Sequence, residues 1–289
     1  MPGDPPQPHV VIVGGFLTEP VFYWPMRRRL LERGAARVSI APLHLPDWLA
    51  MGIAGLRPSM LRAARAIREA RSESPAPLLV VGHSAGGILA RLAMSAEPFD
   101  GPPVGVSDEV GCLVTLGTPH SLHDTIPVWH HPGVVATEFL ELMSPGACFV
   151  PTTGYLTVGS TFVRHARRVP IVSLKQVINV VVRTLVGHTP GAPGDGIVGN
   201  DICRLAGARH LALPDVLHGT FGGPWYGDGH VIDRWWPVAL EEWQAALAAR
   251  GSRVLDAAPD AGRAPMVPLA ANVAGIRSEG PESAREGVG

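Results

Sequence analysis

Residues 78–87 read Leu-Leu-Val-Val-Gly-His-Ser-Ala-Gly-Gly. An apolar, β-type run stops at Gly82, and a small-residue, helix-permissive segment starts at Ala85. Few folds allow such a junction. A serine set between a strand and a helix with no spacer sits in strained backbone, so the positions two before and two after it must be nearly free of side chain. The turn lifts the Ser84 hydroxyl above the strand end and aims the first N–H groups of the helix at the same point. The five-residue pattern alone is weak: with 34 Gly and 14 Ser in 289 residues, about 0.2 matches arise by chance. Its context carries the weight.

That context is an alternation of strand and helix signals. Val10–Val13 is an all-apolar run ending in Gly14-Gly15, and Phe22–Gly34 reads as a helix with Arg27, Arg28 and Arg29 on its wet side. Arg37–Leu43 predicts a strand, Leu56–Ser72 a helix and Pro77–Gly82 a strand. Ala85–Glu97 predicts a helix and Gly111–Gly117 a strand. Tyr155–Gly159 and Arg209–Leu213 are expected as the fifth and sixth strands, and Val231–Ala249, with its Trp235-Trp236 pair, as a closing helix. Continuous apolar strands separated by helices predict an α/β fold: a mostly parallel central sheet covered by helices on both faces.

After the fourth strand the rhythm breaks, which predicts an inserted cap or lid, with candidates within 120–151 and 161–190. A helix is expected around Val134–Met143. Ile171–Gly187 is apolar on most sides and reads either as a buried helix on the sheet or as a cap lining an acyl pocket. Residues 1–8 read as an N-terminal extension and 9–250 as the folded domain. Residues 251–289, rich in Pro, Ala and Gly without a period, are expected as a disordered tail.

The formal net charge is −1, which gives no electrostatic reason to expect nucleic acid or an acidic membrane as partner. Lys175 is the only lysine. Cys112, Cys148 and Cys203 cannot complete a disulfide framework, and Cys112 falls in an expected buried strand. The N-terminal residues lack a basic n-region, so no signal peptide is expected, and no apolar stretch is long enough to span a membrane. A cytoplasmic location is expected.

A serine hydroxyl needs a base to take its proton and a carboxylate to orient that base. In one recurring arrangement on a parallel sheet these follow in the order Ser, Asp or Glu, His, on loops at the carboxyl ends of strands. Asp195, in Pro193-Gly194-Asp195-Gly196, and His218, just past the last expected strand, supply that order after Ser84. Asp201 is the nearest alternative for the acid and Asp124 a more distant one. His230 is the alternative for the base, while His210 is expected inside the last strand. The Gly14-Gly15 pair lets the backbone approach a ligand, so the N–H of Phe16, with Leu17 as the neighbouring alternative, and the N–H of Ala85 are the candidate oxyanion donors. His120, His123, Asp124, His130 and His131 crowd a dozen residues but match no metal-ligand spacing. They read as a solvated loop near the pocket.

Gly14-Gly15-Phe16, Gly82 to Gly87, Leu116-Gly117-Thr118-Pro119-His120 and Asp195-Gly196-Ile197-Val198 together resemble the α/β-hydrolase lipases. The likeness is to the bacterial triacylglycerol-lipase-like group and to plant and cyanobacterial lipase-like hydrolases. It runs from Val10 to about Leu247, and Leu217-His218 followed by Pro224-Trp225-Tyr226-Gly227 is similar to the region carrying the histidine there. The resemblance implies a serine hydrolase acting on a small-molecule or lipid carboxylic ester without cofactor or metal. A thioesterase or acyltransferase using the same residues, or a non-catalytic binding protein of the same fold, are the other readings.

Overall fold

Six short apolar runs pair side by side into one sheet in the computed structural model, which describes residues 6–122, 131–162, 192–220 and 222–257. The strands are β1 (His9–Val13), β2 (Arg37–Ile40), β3 (Leu78–His83), β4 (Val110–Leu116), β5 (Gly154–Ser160) and β6 (Arg209–Leu213). Their order is β2-β1-β3-β4-β5-β6, and every pairing is parallel. A parallel sheet needs cover on both faces, and the alternation of side chains supplies two apolar faces. Val11, Val13, Leu78, Val80 and Leu113 face one layer; Val10, Ile12, Leu79, Val81 and Val114 face the other.

The first layer holds α3 (Arg57–Ser72), α4 (Ala85–Met94) and α5 (Pro132–Met143), with Trp48 of α2 (Leu45–Ala54) packed into it. In α3 the buried residues Met60, Ala63, Ala64, Ile67 and Ala70 recur at helical spacing, and its arginines stay outside. The second layer holds α1 (Trp24–Leu31) and the closing helix α6 (Gly229–Ala257). Three buried tryptophans fix α6 through their indole N–H groups: Trp235 donates to Tyr226 O, Trp236 to Arg33 O and Trp243 to Pro77 O.

Several boundaries differ from the sequence reading, each for a local reason. α1 is preceded by a 3-10 turn at Pro20–Tyr23, because Pro25 occupies its second position and cannot continue a helix from upstream. β2 ends at Ile40, where β1 has almost run out of partners and Pro42 has no N–H to offer. α4 stops at Met94 because Ser95 is extended and its hydroxyl bonds Ser144 Oγ. α2 lies in a stretch with no predicted element. Its apolar residues occur on both sides, with Leu49 and Ile53 exposed opposite buried Trp48, so no helical period shows. α6 continues past Ala249 to Ala257.

α5 is part of the main body: Val134, Ala136 and Leu140 join the core beside α4. The expected cap at 120–151 is therefore, over its described part, a layer helix and its flanking loop. Residues 123–130, the apolar segment Ile171–Gly187 with nearly all of the 161–190 candidate, and the tail from 258 onward lie outside the described residues. No helix among the described residues is long and apolar enough to cross a membrane.

The chain leaves β1 toward β2 on one side and leaves β3 toward β4 on the other. The carboxyl ends of β1 and β3 thus flank the switch point where an open parallel sheet leaves a crevice.

Trp243 is fully buried and bonds the start of β3. Trp243→Ala is expected to destabilise the fold by about 3–5 kcal/mol, and Trp243→Phe by only about 1–2 kcal/mol, read from denaturant midpoints.

Candidate active site

Ser84 joins β3 to α4 with φ 53° and ψ −128°, a left-handed conformation rarely taken by a residue with a side chain. The turn is held from below. The Ser84 N–H donates to Leu116 O at 2.9 Å, and its carbonyl accepts from Gly87 N–H at 3.1 Å and from Thr118 Oγ1 at 2.9 Å. The tightness explains Gly86: a Cβ there would overlap the Val13 carbonyl at the end of β1.

Around Ser84 opens a cavity of about 560 Å³. Gly15, Phe16, His83, Ser84 and His218 line one side of it. Its apolar wall is Leu17, Phe22, Leu45, Leu49, Ile197 and Trp225. The wall comes partly from α2, so the unexpected helix contributes directly to the site.

The fold brings Asp195 and His218 together. His218 Nδ1 lies 2.7 Å from Asp195 Oδ2, and since a carboxylate only accepts, Nδ1 carries the hydrogen. In the neutral ring Nε2 is then the acceptor. The main chains are joined too, His218 N–H donating to Asp195 O at 2.9 Å. The second carboxylate oxygen, Oδ1, accepts from Ile197 N–H and Val198 N–H at 3.0 and 2.8 Å. Burial alone would raise the Asp195 pKa. The neighbouring His218, its hydrogen bond and the two backbone donors outweigh that, and the carboxyl is held below its ordinary value.

Tyr226 was not singled out for a role from the sequence, yet its hydroxyl donates to the same Oδ2 at 3.0 Å and the residue is fully buried. Burial and the Asp195 charge keep that phenol protonated, with its pKa well above the usual range. Arg29 was placed on the wet side of α1. Instead its guanidinium donates to Gly227 O and to Asp228 Oδ1, fastening the loop that carries Tyr226.

Gly117 gives a reason for the Gly-Thr-Pro-His segment. It has φ 56°, and a Cβ on it would lie 2.5 Å from Asp195 Oδ2 and 3.1 Å from His218 Nδ1. A side chain there would occupy the space of the acid–base pair. Thr118 pins the serine turn, and His120 is buried rather than solvated. Arg91 donates to His120 Nδ1 at 3.4 Å, so the Nε2–H of His120 is the donor to Thr115 Oγ1 at 3.1 Å. Burial and the adjacent Arg91 charge keep His120 uncharged.

Ser84 and His218 line one cavity with no direct hydrogen bond between Ser84 Oγ and the His218 ring. The N–H groups of Phe16 and Leu17 donate to no acceptor among the described residues, whereas that of Gly15 is taken by Tyr23 Oη at 2.8 Å. Ala85 is the first residue of α4, where a helix leaves its N–H groups unpaired. The alternatives lie elsewhere. Asp201 is exposed in a turn and bonds no histidine among the described residues; His230 is exposed near the start of α6. His210 sits in β6, bonded to Thr157 and Asn200. His131 caps α5 by accepting from Gly133 N–H, while His123, Asp124 and His130 lie outside the described residues.

A family model described as the PGAP1-like alpha/beta domain matches residues 58–130. No curated protein sequence matches the chain. Among solved structures, the mature form of the Bacillus licheniformis lipase BlEst2 is similar with a TM-score of 0.57 and 18% identity, covering 82% of this chain and 93% of that one. The propeptide form of the same lipase gives a TM-score of 0.52 and 16% identity over 82% of this chain and 51% of that one. The chain has the α/β-hydrolase fold.

Left-handed backbone at a residue with a side chain costs about 1–3 kcal/mol. Ser84→Gly is therefore expected to raise stability by about 1 kcal/mol, seen as a higher denaturant midpoint. Asp195 gives a pH test. A carboxyl whose folded pKa is depressed adds stability that is fully present above its unfolded value of about 3.9 and is lost as pH falls through the lower folded value. The stability gap between wild type and Asp195→Asn should narrow on acidification below about pH 4.

Proposed function

We propose that the protein is a serine hydrolase of carboxylic esters with an apolar acyl or alcohol part, working through Ser84, His218 and Asp195. One observation supports this above the rest. A serine held in strained backbone shares a cavity with a histidine whose far nitrogen is tied to a buried, ionised carboxylate.

In this reading Ser84 Oγ attacks the ester carbonyl while His218 Nε2 takes its proton. Asp195 fixes the tautomer and stabilises the imidazolium as it forms, remaining ionised throughout. The negative charge that develops on the carbonyl oxygen is met by the N–H groups of Phe16 and Ala85, two donors with no acceptor among the described residues. Collapse expels the alcohol, protonated by His218. Water, deprotonated by His218, then frees the acyl group from Ser84. The separation of Ser84 Oγ from the His218 ring fits a site without substrate, where such hydrogen bonds are long and tighten on binding.

The wall supports the apolar substrate class: Phe16, Leu17, Phe22, Leu45, Leu49 and Trp225 carry no charge, and the carboxylate of Glu19, which also lines the cavity, is engaged by Leu45 N–H and the His44 ring. Burying a methylene is worth about 0.8 kcal/mol, or roughly fourfold in kcat/KM.

Ser84→Ala is expected to abolish turnover of a p-nitrophenyl ester, and His218→Ala to lower kcat by at least about 10³-fold while His230→Ala leaves it unchanged. A folded wild type that turns over no ester of any chain length would overturn the reading. So would an inactive His230→Ala beside an active His218→Ala, for the base. Along a chain-length series kcat/KM should climb by up to about fourfold per methylene until the cavity fills. Leu49→Glu should flatten that climb and spare the acetate.

A further inference from the structure

His83, the residue before Ser84, has a fully partnered ring that the proposed mechanism does not use. It is 4% exposed and lies between the two loops that complete the site. Its Nε2 is 2.8 Å from the carbonyl oxygen of His218 and its Nδ1 is 2.9 Å from the hydroxyl of Tyr23. A carbonyl only accepts, so the hydrogen is on Nε2. In a neutral imidazole Nδ1 is then an acceptor, and the Tyr23 hydroxyl must donate to it. The Tyr23 oxygen in turn accepts the N–H of Gly15 at 2.8 Å. The chain of donors runs one way: Gly15 N–H to Tyr23, Tyr23 O–H to His83, His83 Nε2–H to the main chain of His218.

The two ends of this chain are the neighbours of reactive groups. Gly15 precedes Phe16, whose N–H is a proposed oxyanion donor, and the other end is the backbone of the proposed base. The backbone of His83 itself leads into Ser84. We infer that His83, as the Nε2–H tautomer, is a positioning residue that sets donor loop, nucleophile and base at one mutual spacing for ester hydrolysis, an inference that rests on the proposed roles of Ser84 and His218.

The ring must also stay uncharged. The titratable groups around it are His218, whose ring centroid is 4.9 Å away, with Tyr23, Tyr226 and Asp195. A cationic His83 would repel the imidazolium that His218 becomes in the transition state. Burial, and then the proximity of His218, hold the pKa of His83 down at about 3, so it remains neutral wherever His218 can act as a base.

Three variants divide the relay. In His83→Gln the side-chain amide can still donate to the His218 carbonyl; in His83→Asn the shorter side chain can still accept from Tyr23; His83→Leu does neither. A displacement on the order of 1 Å in a reacting group lowers rate by about 10²-fold. His83→Leu should therefore lose about 10²-fold in kcat with little change in KM, and His83→Gln should recover about a tenth or more of wild-type kcat. Tyr23→Phe, which leaves His83 in place, should lower kcat by about tenfold.

A second readout needs no turnover. In ¹⁵N-labelled wild type, His83 should show a protonated Nε2 and an unprotonated, hydrogen-bonded Nδ1 with no titration between about pH 5 and 8. In Tyr23→Phe its Nδ1 resonance and the Gly15 amide proton should both shift. With an active wild type and a dead Ser84→Ala, either an Nδ1–H or titrating His83, or a folded His83→Leu with wild-type kcat, overturns the positioning role alone. A wild type that hydrolyses no ester overturns the hydrolase reading and the positioning role with it.

Discussion

The site depends on one close approach, that of the first turn of α4 to the carbonyl end of β1. With Gly86 against the Val13 carbonyl there is no room for a side chain, and the strand-to-helix turn must close without a spacer. Ser84 therefore takes up a left-handed conformation, and the strain is resisted by three hydrogen bonds, one donated to the Leu116 carbonyl and two accepted from Gly87 and Thr118. What this secures is position. Ser84 stands at the switch point of the sheet, lining one cavity with Gly15 and Phe16 of the loop leaving β1.

The electrostatics rest on burial balanced by donors. Asp195 is almost wholly removed from water, which by itself would favour the neutral acid. Four donors surround it: two backbone N–H groups on one oxygen, His218 and Tyr226 on the other. A carboxylate so surrounded stays ionised, and a low-dielectric setting makes its attraction for a nascent imidazolium stronger than it would be in water. The fold spends much of its local structure on that pocket. Gly117 vacates the space, Trp235 holds the carbonyl of Tyr226, and Arg29 fastens the loop between them.

Much of this was legible in the sequence, and the parts that were not share a cause. The inner strands β1, β3, β4 and β5 were readable because both their faces are buried, which leaves largely apolar runs. Ser84 was readable because the strain of its turn dictates glycine at fixed offsets. The pairing of Asp195 with His218 was readable from chain order together with their loop positions on either side of the last strand, which order alone would not have separated from Asp201 and His230. Tyr226, Arg29 and His83 act through contacts far apart in the chain, and nothing local in a tyrosine, an arginine or a histidine declares its partner. α2 was hidden because its outer face is as apolar as its inner one, so the period that betrays a helix is absent. Pro46 followed by Asp47, inside the first turn, was the signal that could have found it. His120 misled because clustering in sequence suggested a common solvated loop, whereas the turn after β4 drives it inward against Arg91.

The concealed helix bears on how reactivity and selectivity are related here. Ser84 stands at a strand end and Asp195 and His218 on loops tied to each other, while much of the apolar wall stands on the excursions after β1 and β2. These parts could vary independently if they did not touch. They do touch at two places. Glu19, on the loop after β1, accepts from Leu45 N–H and bonds His44, so α2 is tied to the segment that carries Phe16. The Phe16 ring also sits edge-on to Trp48 of α2, with centroids 5.7 Å apart. A change that shifts α2 to admit a different acyl chain therefore pulls on the residue proposed to receive the developing charge. In this arrangement a cavity remodelled for substrate must keep Trp48 and Glu19 in place, or selectivity will be gained at the expense of rate.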